Sequence, residues 1–152
     1  MAASFLQRNA RQLSTLAFVF LMLAIGGLIW TSSLLGHDPV SLGLQGAAFL
    51  LMLWARVTFG LRSFHYAANP TEGGLVTTGP YRYVRHPIYA AILLFVWVAV
   101  AANWSLTNAA FGAVATAMLF LRMICEEALV RQRYPEYDAY ARRTKRVIPF
   151  VL

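Results

Sequence analysis

The sequence predicts an all-α integral membrane protein. It has about four transmembrane helices, a short hairpin between the third and fourth, and a cytoplasmic helical extension at its C-terminus. Three observations carry this expectation. Of 152 residues, 59% are hydrophobic and only 12% charged, whereas a soluble domain is about 45–50% apolar and roughly 25% charged. The apolar residues fall in separate stretches near the length of a membrane span. The basic residues all fall on one side of the alternation those stretches create.

A spanning helix needs about 20 mostly apolar residues. Residues 13–30 form the first candidate, with Ser14 and Thr15 the polar positions near its start. Arg8 and Arg11 precede it, as they would in a secretory signal. The apolar run is long, however, and lacks a small-x-small cleavage site followed by polar sequence, so a retained helix is expected. Residues 42–61 form the second span and carry Gln45 and Arg56. Residues 88–102 form a short third, and residues 106–124 a fourth, with Arg122 near its end. The reversal Asn103-Trp104-Ser105 is so tight that these two helices form an antiparallel hairpin, with Asn103 as a candidate cap. No Pro or Gly lies between Gly112 and Pro135, so the fourth helix continues through Arg133. Pro135 suits the first turn of another short helix, on which Tyr137 and Tyr140 share a face. The apolar end Val147-Ile148-Pro149-Phe150 is expected to return to the membrane surface. No repeat divides the chain, and residues 1–152 read as one domain with its motif-bearing part in 75–150.

Basic loop residues set orientation. With the N-terminus cytoplasmic, residues 31–41 lie outside and contain His37 and Asp38 but no Lys or Arg. Arg62, Arg82 and Arg85 lie inside, as do Arg131, Arg133, Arg142, Arg143, Lys145 and Arg146. Arg56 and Arg122 are near enough to the inner ends of their helices to snorkel. Both termini are therefore expected on the cytoplasmic side. The same placement accounts for the net charge of +7 without a nucleic-acid partner. Cys125 is the only cysteine, so no intramolecular disulfide or cysteine-based zinc cluster is possible. There is no His-x-x-x-His pair, phosphate loop, Ser-His-Asp order or dinucleotide fingerprint, and no metal site is expected.

Two constellations carry candidate chemistry. The first is Gly79-Pro80-Tyr81-Arg82-Tyr83-Val84-Arg85-His86-Pro87-Ile88-Tyr89, at the cytoplasmic entrance of the third helix. Pro87 fits the first helical position, where its missing N–H costs nothing. The helix start then offers amide donors and a positive dipole end to an anion. Arg85 adds a bidentate fork, His86 a donor or acceptor set by its tautomer, and Tyr89 a ring and a hydroxyl. Together they suit the amino-acid or adenosine part of a nucleotide-like cofactor. Tyr, Arg and His also gather at membrane interfaces as belt and snorkelling residues, but a belt has no need for a Pro-capped Arg-His pair. The second constellation is Arg122 with Glu126 and Glu127. Arg122 and Glu126 are four apart and share a helix face, while Glu127 points elsewhere. The plain reading is an ion pair on a solvated helix end. The functional one is a carboxylate for ribose hydroxyls or a sulfonium-bearing ligand, beside an arginine that anchors an acceptor carboxylate. His65 reads as a loop residue.

These strings resemble the isoprenylcysteine carboxyl methyltransferase family and the broader phospholipid methyltransferase group. The matching residues are Gly79-Pro80-Tyr81, Arg85-His86-Pro87-Ile88-Tyr89, Glu126-Glu127, Tyr134, Tyr137, Tyr140 and Pro149. The resemblance covers residues 75–150, about half the chain. Ala91 stands where the family usually has Gly, and Tyr134-Pro135 where it usually has Phe-Gly. What the resemblance implies is S-adenosylmethionine held near the cytoplasmic face by Tyr81, Arg85, His86, Pro87, Tyr89, Glu126 and Glu127. Arg122 and Glu126 would be the catalytic pair, and a lipophilic acceptor would enter from the lipid.

Methyl transfer from a sulfonium needs alignment and exclusion of water. A carboxylate acceptor is already nucleophilic and needs an anchor, for which Arg122 is the candidate. An amine must lose a proton, and Glu126 or Glu127 would take it. Carboxyl O-methylation of an isoprenylcysteine-like substrate is the favoured expectation. Phospholipid amine N-methylation is the alternative, and a non-enzymatic membrane scaffold is a third reading of another class.

Overall fold

The computed structural model describes residues 2–60 and 74–148, with side chains from Arg8 onward. Arg62, His65, Pro149 and Phe150 lie outside the described residues, as does the end of the expected second span at Leu61. The described residues form α1 (Ala2–Trp30), α2 (Pro39–Phe59), a 3-10 turn (Gly79–Arg82), α3 (Pro87–Ala102), α4 (Leu106–Arg133) and α5 (Tyr137–Arg143). They contain no strand, only a single parallel bridge between Val84 and Lys145.

Local chemistry fixes most boundaries. Asp38 caps α2, accepting from the amides of Val40 and Ser41 at 3.0 Å each, with Pro39 opening the helix. Pro87 opens α3. Ser105 caps α4 by accepting from the Asn108 amide at 3.0 Å. Asn103 closes the hairpin as expected: its Nδ2 donates to the carbonyls of Ala99 and Leu35 at 3.1 and 2.9 Å. α4 runs unbroken to Arg133. The last short helix starts at Tyr137, so Pro135 falls in the preceding turn rather than in the first turn of the helix. α1 begins well before the apolar run at Leu13, since nothing in residues 2–12 breaks a helix.

α1 and α4 pack antiparallel along a seam spaced alternately four and three. Ala10, Ser14, Ala17, Leu21, Ala24 and Leu28 are buried on α1, and Asn108, Gly112, Ala115, Leu119 and Arg122 on α4. This is heptad spacing, and its small residues let two backbones approach closely. The seam is pinned at one end by Thr31 Oγ1 donating to Asn108 Oδ1 at 2.9 Å, and at the other by Arg122 donating to the Ser14 carbonyl at 2.9 Å. α2 packs on α3. The α3–α4 hairpin carries a bond from Trp97 Nε1 to Thr116 Oγ1 at 3.0 Å. The core is Leu21, Leu28, Val96, Val100, Leu119 and Met123, closed by Val147 from the tail. Val147 is thus buried, and only Ile148 of the described apolar tail faces outward.

Two helical stretches, Arg8–Trp30 and Pro39–Phe59, are long and apolar enough to cross a membrane, and α3 is a shorter apolar helix. Leu23, Leu50, Phe49 and Trp54 project outward from them, the distribution of a helix that faces hydrocarbon.

Candidate active site

The site is assembled where the start of α3, the end of α4 and the C-terminal tail converge. The tail lies beside the segment preceding α3. The amide of Arg85 donates to the Lys145 carbonyl at 2.7 Å, and that of His86 to the Arg146 carbonyl at 2.9 Å. The two amides just ahead of the helix are therefore taken by the chain itself.

Glu127 is the hub of this arrangement. Its side chain is 1% exposed. Oε1 accepts from Arg85 Nε at 3.1 Å, His86 Nε2 at 3.3 Å and Arg146 Nε at 3.3 Å, and Oε2 accepts from Arg146 at 3.2 Å. Arg131 adds a third guanidinium's reach, to Oε2 at 3.7 Å. Burial opposes ionisation of this carboxyl. The hydrogen bonds from His86 and Arg146, with the charge of Arg85, outweigh burial and hold it well below the usual carboxylate range. Arg85 also donates to the carbonyls of Ala141 (3.0 Å) and Thr144, tying down the end of α5.

Glu126, one residue earlier, is 24% exposed and faces the cavity. Its Oε1 accepts from the Tyr89 hydroxyl and from Arg122 at 3.4 Å. Its Oε2 lies 3.8 Å from His86 Nδ1. Arg122 Nε donates to the Tyr89 hydroxyl at 3.1 Å, and its guanidinium lies over the Phe18 ring at 5.2 Å. The rings of His86 and Tyr89 stack 5.5 Å apart. On the opposite wall the Tyr81 ring meets Phe59, and its carbonyl accepts from Tyr140 at 2.7 Å. Burial pushes the Tyr140 phenol up to about 12 and raises those of Tyr81 and Tyr137 further, so all three are hydroxyl donors at neutral pH.

These groups enclose a cavity of about 460 Å³, within the span of small-molecule sites, about 300–1,000 Å³. Tyr81, Arg85, His86, Pro87, Tyr89, Arg122, Glu126 and Glu127 all line it. The structure also adds residues that no sequence motif flags. Phe18, Leu21 and Met22 come from α1, Arg56 and Phe59 from α2, and Arg146 reaches in behind Glu127. Periodicity marks Phe18 and Phe59 only as lipid-facing or core, and Arg146 reads as one of many tail cations. Among the described residues no cluster of three or more His, Cys, Asp or Glu could hold a metal ion.

A helical protein with two membrane-length helices and a cavity lined by charged and aromatic side chains among aliphatic ones defines the class: a membrane-type protein with a candidate small-molecule site. Residues 39–137 match the model of the phospholipid methyltransferase family, and the chain belongs to that family of methyltransferases. It is 30% identical over 134 residues to the nickel-cobalt-cadmium resistance protein NccN of Alcaligenes xylosoxydans xylosoxydans, covering 86% of this chain and 59% of that protein. It is likewise 30% identical over 135 residues to the cobalt-zinc-cadmium resistance protein CzcN of Cupriavidus metallidurans, covering 87% of this chain and 59% of the relative. The chain thus spans about three-fifths of the length of these curated relatives. No solved structure matches it.

Proposed function

We propose that the cavity binds S-adenosylmethionine and that the protein methylates a lipophilic acceptor reached from the membrane, with a carboxylate such as that of an isoprenylcysteine-like molecule as the acceptor group. The observation that carries this reading is the convergence of the Arg85–Tyr89 string and the Arg122–Glu126–Glu127 turn on one cavity.

The residues present suit the cofactor. Glu126 offers Oε2 to hydroxyl or ammonium donors. Tyr81, Tyr134, Tyr137 and Tyr140 provide aromatic surface and hydroxyls. The cofactor supplies an electrophilic methyl group; the protein supplies alignment and exclusion of water. Arg122, pinned by Ser14 and Tyr89, supplies the positive charge that attracts the acceptor carboxylate. Three arginines line the cavity, Arg56, Arg85 and Arg122, against two carboxylates, Glu126 and Glu127. That excess of positive charge favours an anionic acceptor. A second reading, amine N-methylation, rests on Glu126, whose cavity-facing oxygen would take the proton an amine must lose.

The membrane reading extends the two spanning-length helices to four spans with both termini cytoplasmic. It is supported by the concentration of Arg56, Arg85, Arg122, Arg131 and Arg146 around this one site. The metal-resistance names of the two relatives belong to those proteins; in this reading the chain acts by methylating a lipid-like molecule.

The test is transfer of a labelled methyl group from S-adenosylmethionine, in detergent, to an N-acyl prenylcysteine and to a phosphatidylethanolamine. Label on the prenylcysteine that is released by mild base supports the carboxyl reading. Base-stable label on the phospholipid selects the amine reading. No transfer to either, with no binding of S-adenosylhomocysteine, removes the enzyme reading.

A further inference from the structure

A second cavity, of about 270 Å³, lies between α1, α2 and α3 beside the candidate active site. Every side chain that lines it is aliphatic, aromatic or thioether. A water there would find no polar side-chain partner, so the space suits hydrocarbon.

The two cavities share Ile92 as a common wall. Three helices carry their lining from one into the other. The face on α1 runs from Phe18 through Met22 to Ile25, and that on α3 from Ile88 through Ile92 to Phe95. On α2, whose direction is opposite, it runs from Arg56 through Met52 to Phe49. Spacings of four and then three keep each set on one side of its helix. At 1.5 Å per residue, each face leads roughly 10 Å from the charged cavity into the apolar one.

This track has an end. One turn beyond Phe49, the buried Gln45 donates through Nε2 to the carbonyls of Leu34 and Phe95 at 3.0 and 3.5 Å, and its Oε1 accepts from the Gly36 amide at 3.0 Å. Opening that latch would strand buried polar groups. Ala48 and Ala91 line the cavity as buried small side chains and leave room that a larger residue would fill.

We propose that the second cavity takes the hydrocarbon tail of the acceptor, laid along α3 with its polar group at Arg122 and Glu126, and that Ala48 and Met52 limit the length of chain accepted. Continuity with the charged cavity selects this occupant over a bystander lipid, because a chain in the track places its head among the charged groups. The proposal rests on the methyltransferase reading for the group transferred, but the seating of the chain does not.

The experiment offers S-butyl, S-octyl and S-dodecyl N-acetylcysteine as acceptors, in detergent, to wild type, Ala48→Leu and Met52→Ala. Variant-to-wild-type ratios of kcat/KM are compared at each chain length, so that partition into micelles cancels. Ala48→Leu is expected to leave the butyl acceptor unchanged and to lower the longer two by about tenfold or more, the scale on which a pocket discriminates a methylene or two. Met52→Ala is expected to shift the preference toward dodecyl. A ratio that is the same at every chain length overturns the proposal. If Ala48→Leu does not fold, Met52→Ala decides alone, and an unshifted preference in it overturns the proposal. Titration of S-adenosylhomocysteine on the same samples, expected to be unchanged in both variants, reports separately on the cofactor reading. If no acceptor is methylated, an S-octyl N-acetylcysteine with a terminal diazirine reads the chain site without any chemistry at the head. Label on Phe49, Met52 or Phe95 that is competed by the plain S-octyl compound supports the proposal. Label spread over the outward-facing Leu23, Leu50 and Trp54, as a bystander lipid would give, overturns it.

Discussion

Glu126 and Glu127 are neighbours in sequence but occupy opposite electrostatic settings. Glu127 is enclosed, 1% exposed, among Arg85, His86, Arg131 and Arg146, whereas Glu126 is 24% exposed and turns to the cavity with Tyr89 and Arg122 on one oxygen. Consecutive helical residues diverge by about 100°, so one turn of α4 holds the site together with one carboxylate and offers the other to a ligand.

The two glutamates should therefore fail differently. Glu127→Gln removes a buried charge that answers several cations, at a cost of about 3–5 kcal/mol. Its folded-state pKa lies below the ordinary 4.5, so its stabilisation is complete above about that pH and is lost as pH falls through the folded value. Thermal melts in detergent should show a loss of stability at pH 7 that narrows in acid. An equal loss at pH 7 and in acid would refute the hub.

Glu126→Gln should cost less stability than Glu127→Gln, its carboxylate being the more exposed of the two, and weaken S-adenosylhomocysteine binding by about tenfold or more, the scale of a charge-assisted hydrogen bond. Tyr89→Phe removes the donor to Glu126 and the acceptor for Arg122. A smaller loss, about two- to tenfold, is expected there. Calorimetric titration measures both, and unchanged affinity in both variants would dissociate this pair from the cofactor.

Gly79 sits at φ +56°, and a Cβ there would meet Thr58 Oγ1 at 2.6 Å. Gly79→Ala forces both a left-handed backbone and a contact with α2, at a cost of about 1–3 kcal/mol. The turn carries Tyr81, so a lower melting point should be accompanied by weaker cofactor binding. Full stability in Gly79→Ala would show that this turn can relax.

Ala17 is buried in the α1–α4 seam. Ala17→Leu adds volume where two backbones are close and should cost about 1–3 kcal/mol. Unfolding in detergent by increasing denaturant reads this, and wild-type stability would mean the seam is looser than its spacing implies.

Much of this molecule is legible from its residues, for identifiable reasons. Pro87 announces the start of α3, the absence of breakers carries α4 through Arg133, and Asn103 caps the hairpin. The cavity residues from Tyr81 to Glu127 are legible because they cluster into two short strings that a helical hairpin brings together. What is not legible depends on contacts distant in sequence. Arg146 meets Glu127 across 19 residues, and Tyr140 meets Tyr81 across 59. The engagement of the Arg85 and His86 amides by the tail follows from a pairing that no local pattern encodes. Phe18, Met22 and Phe59 look like any lipid-facing side chain, because composition cannot distinguish a cavity wall from a membrane surface.

The hydrogen bond from Arg122 to the Ser14 carbonyl spans 108 residues and joins the family-matched segment to a helix that precedes it. The first helix is therefore no interchangeable anchor. Transplanting residues 39–137 behind another protein's helix would sever a strut of the site's own guanidinium and strip Phe18 from beneath it, so any unit moved intact between proteins must include α1.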